Sequence, residues 1–130
     1  MRVSRQQLAA VIRKALDRLP AVFRRRLNNV GFVLEEDPGP EVRKSLRLRA
    51  DEDLLGLYQG VPQSQRGLEY GQVLPDKITF FRRPLAARCR DEKELEEEVY
   101  DVLWHEIGHH FGFDDRQLRR LERQTRRRTT

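Results

Sequence analysis

The sequence of 130 residues has little of what usually stabilises secreted proteins or anchors membrane proteins. It contains one cysteine, Cys89, so an intramolecular disulfide is excluded and a reducing compartment is expected. It has no long hydrophobic run, and charged residues interrupt the apolar stripe near Met1, which argues against a signal peptide and against a membrane span. We therefore expect a cytoplasmic protein that has no membrane partner.

Lysine is also scarce. Four of the 26 basic residues are Lys, and the others are Arg. A heat-adapted or GC-rich source explains this composition as well as any function does. The net charge of +5 is uneven, since residues 116–130 hold seven Arg and one acid, and the rest of the chain carries about −1. Nucleic-acid binding would rest on this tail and on residues 24–26, where no aromatic residues interleave the arginines. A solubilising terminus is the favoured interpretation, and we do not expect nucleic acid to be the partner.

The length predicts one domain with a modest core, residues 1–122, followed by a basic tail, residues 123–130, that we expect to fray. A capping box of Ser4 and Gln7 predicts a first helix, and Pro20 predicts the start of a second. Further elements follow from hydrophobic periodicity: strands at 30–36, 54–60 and 77–84, a short helix at 41–48, and a long functional or mobile loop at 61–76.

A longer helix is predicted from Asp91, which forms a second capping box with Glu94. Apolar residues lie on two sides of this helix, so we expect it to run through the core. Gly112 predicts its C-terminal end, and Asp114 with Gln117 predicts a final helix.

The long helix contains the pattern H-E-x-x-H, in the stretch WHEIGHHFGFDD. His105 and His109 are four residues apart, so their imidazoles share one helix face and can bind one Zn²⁺. Glu106 is displaced from that face but can reach a water on the ion and act as a general base. The competing interpretation is an exposed pair of helical histidines beside an acid. We favour the metal site, because all three histidines lie in one stretch of six residues on the best-supported helix.

A catalytic zinc needs a third protein ligand. Asp115 has the required spacing, and we predict that it is this ligand, whereas Asp114 is assigned to capping the final helix. His110 points away from the pair and is interpreted as a core or hydrogen-bonding residue. Asp101 and Glu98 lie on the metal face as solvated acids or, alternatively, as groups that orient His105.

These residues resemble those of the zincin metallopeptidases, and more closely a family of small bacterial zincin-like proteins. The resemblance is carried by HEIGHHFGFDD together with LLGLYQGVP and LPDKITFFRRP, in the span from Val30 to Asp115. It implies a minimal α+β fold, in which a small mixed sheet of three to four strands packs with an N-terminal helix, the motif helix and a C-terminal helix. It also implies that His105 and His109 bind zinc, that Glu106 is the base, and that Asp115 is the third ligand of a metzincin-like site.

The resemblance further implies a peptide or protein substrate, which pairs with an edge strand of the sheet. Our candidate for that strand is residues 54–60. The chain departs from metzincins because its single methionine is Met1, and because fifteen residues after Asp115 leave no room for the usual C-terminal subdomain. Two interpretations therefore stay open: a zinc peptidase, or a zinc-binding protein of the same fold without peptidase activity.

Overall fold

The computed structural model describes residues 1–27, 30–60 and 76–110, with positions 116, 117, 119, 120 and 123. The side chains of Arg26, His109 and His110 are outside the described set. The elements in chain order are α1 Arg5–Arg18, α2 Ala21–Arg26, β1 Val30–Glu35, α3 Pro40–Ser45, β2 Gly56–Gln59, β3 Asp76–Phe81, α4 Arg82–Arg88 and α5 Glu92–His110. Helices combined with one small sheet confirm the predicted α+β class.

The sheet has three strands in the order β1-β3-β2. β1 pairs with β3 in parallel, and β2 pairs with β3 in antiparallel, so the sheet is mixed as expected. Within the described part of the chain, β2 has a neighbouring strand on one side only. The strand proposed for substrate pairing therefore lies at an edge of the sheet.

Helix α1 begins where its capping box predicts. The Gln7 N–H donates to Ser4 Oγ at 3.0 Å, and the Ser4 N–H donates to Gln7 Oε1 at 2.8 Å. These two bonds satisfy backbone donors that the first helical turn leaves without partners. The apolar face that follows is buried, and it includes Leu8, Val11, Ile12 and Ala15.

The core forms where α1 and α5 pack against each other and against β3. Ile78 and Phe80 of β3 are fully buried in it. At the rim, the Arg18 guanidinium lies 4.1 Å from the ring centroid of Tyr100 and donates to Glu97 at 3.0 Å. A cation over an aromatic face is attracted by the ring quadrupole, and this contact ties the two helices together. No helix among the described ranges is both long and apolar enough to cross a membrane.

The region after β3 corrects one prediction. A strand was expected to continue to Pro84, but β3 ends at Phe81 and helix α4 follows at once. Pro84 is the third residue of α4, where its missing N–H would have no intrahelical partner, so the proline does not break the helix. Leu85 and Ala86 are buried on the face of α4 that joins the core.

The end of α3 and the capping bonds of α5 also differ from the prediction. Helix α3 ends at Ser45 instead of reaching residue 48, because Arg47 has a φ of 53° and leaves the right-handed helical region. At the start of α5, Asp91 accepts the Glu94 N–H at 2.8 Å as a cap should. The Glu94 carboxylate binds the N–H and guanidinium of Arg90 instead of returning to Asp91. That bond with Arg90 lowers the pKa of Glu94.

Some predictions fall on parts of the chain that the structure does not describe. These are Gly112, Asp114 as the cap of a final helix, and residues 61–75 of the loop predicted at 61–76, whose last residue, Asp76, begins β3. The five described positions after residue 115 have helical backbone.

Candidate functional site

Helix α5 presents the motif because its other faces are anchored in the core. Leu103, Trp104 and Ile107 are each at most 2% exposed, and they fix the rotation of the helix about its axis. Trp104 packs edge-on against Phe23 at a centroid distance of 5.2 Å. With these residues buried, His105 is exposed and Glu106 is half-buried. The two motif residues therefore lie at the boundary between core and surface.

The His105 ring is oriented by the backbone of its own helix. Its Nδ1 lies 2.8 Å from the carbonyl oxygen of Asp101. A carbonyl oxygen only accepts, so Nδ1 must carry the proton in this contact. Nε2 then has the lone pair that a metal needs, and an N–H bonded to a backbone carbonyl is a common second contact of zinc-bound histidines. The donor chemistry of His105 thus fits a Zn²⁺ ligand.

The described contact between Asp101 and His105 is made by the Asp101 backbone carbonyl. The alternative considered from the sequence, in which the acidic side chain orients His105, stays a prediction. Glu98, the other acid considered, lies 3.2 Å from the Arg88 guanidinium. Its described ion pair is therefore with α4.

Glu106 reaches across to the edge strand. The N–H of Tyr58 in β2 donates to Glu106 Oε2 at 3.2 Å. Phe81 donates its N–H to the Leu55 carbonyl at 3.0 Å, so the Leu55–Phe81 pair is of the hydrogen-bonded type. In an antiparallel ladder such pairs alternate with pairs whose N–H and C=O groups point away from each other. Gly56 and Tyr58 occupy the second type, and their backbone groups point away from β3, toward the side of β2 where Glu106 lies.

A glycine allows the strand to come this close to the helix. A Cβ at Gly56 would lie 2.5 Å from Val102 Cγ1 and 3.2 Å from the Thr79 carbonyl oxygen. The first distance is shorter than carbon atoms tolerate, so residue 56 has to be glycine while β2 and α5 keep this spacing. No role for Gly56 was predicted from the sequence. A glycine inside a strand, which often marks a close backbone approach, was the available signal.

Tyr58 is a second residue with a structural role that was not predicted from the sequence. Its hydroxyl donates to Asp76 Oδ2 at 2.8 Å, and Asp76 is 8% exposed. The bond joins β2 to the first residue of β3. It fixes the strand whose N–H contacts Glu106, and no local pattern in the sequence indicates it.

The remaining predicted ligands are only partly described. The backbone of His109 lies in α5, one turn after His105, but its side chain is outside the described set. The same holds for His110, and Asp114 and Asp115 are not described. Among the side chains that the structure does describe, no group of three or more His, Cys, Asp or Glu residues is placed to hold a metal. Convergence of His105, His109 and Asp115 therefore stays a prediction.

Cys89 does not belong to this constellation. Its side chain is 3% exposed, and burial raises the pKa of the thiol, with a further contribution from the negative charges of Glu98 and Glu94. The positive charges of the N-terminus and Arg88, which act in the opposite direction, do not reverse this effect on the pKa. A buried, protonated thiol is a poor nucleophile.

Comparison with known families agrees with this geometry. A family model described as zincin-like metallopeptidase matches residues 27–125, about three quarters of the chain. The chain belongs to the zincin-like metallopeptidase family. Membership implies zinc binding in general, and the orientation of His105 in this zincin-like protein suits that role.

The zincin-like chain also has a structural relative. It is similar to a conserved hypothetical protein from Thermus thermophilus, with a TM-score of 0.56 and 20% sequence identity. The match covers 83% of this chain and 94% of that chain. At this identity the similarity concerns the fold alone. No curated protein matches the sequence significantly.

Proposed function

We propose that the protein is a zinc-dependent peptidase that binds its substrate as an extended chain along β2. One observation carries the proposal: the carboxylate of Glu106, the candidate base, lies 3.2 Å from the outward-facing N–H of Tyr58 on the edge strand. A peptide paired with that edge would have its backbone next to Glu106. Membership in the zincin-like metallopeptidase family supports the same chemistry.

Substrate binding would use strand addition. The Gly56 backbone groups and the Tyr58 carbonyl face away from β3, as pairing with an added strand requires, while the Tyr58 N–H donates to Glu106. Main-chain hydrogen bonds of this kind provide affinity for any extended peptide, and pockets for alternate side chains provide selectivity. The bond between Tyr58 and Asp76 supports the mechanism by holding β2 in register with β3.

His105, His109 and Asp115 are the proposed ligands of the zinc. A bound Zn²⁺ would polarise the scissile carbonyl and lower the pKa of the attacking water toward neutrality. The Asp101 carbonyl contributes by keeping Nε2 of His105 available as the metal ligand. These assignments follow the family motif and the donor chemistry of the residues.

Glu106 would move the proton. As the oxygen of water forms a bond with the carbonyl carbon, the carboxylate accepts a proton from that water. It then delivers the proton to the amide nitrogen as the carbon–nitrogen bond breaks, giving an amine and a carboxylic acid. The Tyr58 N–H supports this role by holding the carboxylate at the strand edge where the peptide would lie.

The test combines metal analysis with peptide hydrolysis for four proteins: wild type, Glu106→Gln, His109→Ala and the control Glu92→Gln. Glu92 is on the same helix but lies near Lys14, far along α5 from the motif. We expect Glu106→Gln to retain zinc and to lose about 100- to 10,000-fold in kcat, because the general base is removed. His109→Ala should lose both zinc and hydrolysis, and Glu92→Gln should match wild type.

Two outcomes would contradict the proposal. Hydrolysis at the wild-type rate by Glu106→Gln would show that Glu106 is not the base. Zinc binding and destabilisation by a chelator, without cleavage of any peptide, would instead establish the alternative of a zinc-binding family member without peptidase activity.

A further inference from the structure

A groove runs between β2 and α3. It has a volume of about 400 Å³ and is lined by Glu41, Val42, Ser45 and Leu46 of α3 and by residues 57–59 of β2. Ligand pockets have volumes of about 300–1,000 Å³, so this groove is large enough for a bulky side chain. It shares its strand with the candidate site, but it contains none of the motif residues.

The lining combines aliphatic and polar side chains. Val42, Leu46 and Leu57 supply aliphatic surface, and Leu46 is 43% exposed. The polar groups come from Glu41, Ser45 and Gln59. Large hydrophobic side chains that stay exposed around a concave surface are typical of binding sites for apolar groups. The chemistry of the groove therefore favours an apolar occupant over a charged one.

The pleat of β2 connects the groove with the edge. Successive side chains of a strand point to opposite faces, and Gly56 and Tyr58 face the core side, where Gly56 meets Val102 of α5. Leu57 and Gln59 therefore face the groove. Paired residues on neighbouring strands share a face. In a peptide added to β2, the residue opposite Tyr58 would face α5, and its two neighbours would face the groove.

We infer that this groove is the specificity subsite of the peptidase and takes a bulky apolar side chain, such as Leu, Met or Phe. The occupant belongs to the substrate residue next to the one that pairs with Tyr58. The inference rests on the proposed function, since it requires the substrate to lie along β2. It adds a substrate class, extended peptides with a large apolar residue beside the cleaved region.

The experiment measures kcat/KM of the zinc-loaded protein on peptides of equal length that differ at one position. The varied position is the residue proposed to enter the groove, and it is filled with Leu, Phe, Lys or Ser. Mass spectrometry of the products locates the cleaved bond. We expect Leu and Phe peptides to exceed the Ser peptide by roughly 10- to 100-fold, since burial of a large apolar side chain in a pocket has an effect of this size. Leu46→Glu should bring the ratio close to one, and Leu46→Met should preserve it.

Val22→Glu is the matched control, because Val22 is 48% exposed and belongs to α2, outside the groove. It should leave the ratio unchanged. Equal rates for Leu, Lys and Ser peptides, or a preference that survives Leu46→Glu, would overturn the inference while leaving the peptidase proposal intact.

Absence of any cleavage by wild type would refute the peptidase proposal. In that case peptide binding tests whether the groove takes an apolar side chain. Fluorescence anisotropy of labelled Leu and Ser peptides is measured with Glu106→Gln, with and without Leu46→Glu. Tighter binding of the Leu peptide that disappears with Leu46→Glu supports the subsite. Equal binding of both peptides, or binding of neither, overturns it.

Discussion

Replacing Gly56 by alanine tests how β2 and α5 hold the candidate site together. The added Cβ would lie 2.5 Å from Val102 Cγ1 and 3.2 Å from the Thr79 carbonyl oxygen. Neither neighbour yields easily, because a helical valine is strongly restricted at χ1 and the Thr79 oxygen belongs to the backbone of the central strand. The strand must move away from the helix. Overpacking of this kind costs about 1–3 kcal/mol, and we expect Gly56→Ala to lower the free energy of unfolding by that amount.

The assay is urea denaturation of four variants. Val102→Ala alone removes two methyl groups and should cost about 1–2 kcal/mol. In Gly56→Ala/Val102→Ala the new methyl fills the space that the valine has left, so the double mutant should be more stable than the sum of the single effects by about 0.5–3 kcal/mol. Gly39→Ala is the control, since nothing lies within 4 Å of a Cβ at Gly39, and it should stay within about 0.5 kcal/mol of wild type.

A second readout reports on the site itself. The Tyr58 N–H lies 3.2 Å from Glu106, near the long end of hydrogen-bond distances, so a small outward shift of β2 weakens this bond. We expect faster hydrogen exchange at the Tyr58 amide in Gly56→Ala, and recovery in the double mutant. A Gly56→Ala protein as stable as wild type, with unchanged exchange, would refute the close packing of β2 on α5.

Two further predictions concern titratable groups. Cys89 is buried and its pKa is raised by burial, so at mildly alkaline pH it should react with a thiol reagent much more slowly in the native protein than in urea; equal rates would contradict its burial. The Arg82 guanidinium donates to Glu36 at 2.7 Å and lowers the pKa of that carboxyl. The stabilisation it brings is present above the ordinary pKa of 4.5 and is lost as pH falls through the lower folded value. The difference between the urea midpoints of wild type and Arg82→Gln should therefore be larger at neutral pH than in acid, and the part that remains in acid reflects the lost bond from Arg82 to the Val3 carbonyl.

Local features of the fold were predictable because neighbouring residues determine them. The capping box of Ser4 and Gln7 and the apolar face of α1 require only short-range contacts, and both are present. The Asp91 cap is present for the same reason. Its expected reciprocal bond is absent because the charged side chain of Arg90 offers Glu94 a stronger partner.

The features that position the site depend on contacts between distant segments. The contact between Gly56 and Val102 spans 46 residues, and the bond between Tyr58 and Glu106 spans 48. Hydrophobic periodicity describes each element separately and does not give the distance between two of them. Helix α4 was not predicted because it is short and contains Pro84. A proline is tolerated in a helix only in the first turn, and the sequence alone did not show that the helix begins at Arg82.

The packing of α1 against α5 has a consequence for synthesis of the chain. Helix α1 is complete at residue 18, but the helix that covers its apolar face is complete only at residue 110. Between those points a nascent chain would expose Leu8, Val11 and Ile12 to solvent and to other proteins. Folding of the core should therefore wait until α5 has emerged from the ribosome, and chaperones that bind short apolar helices would meet α1 before α5 is available to cover it.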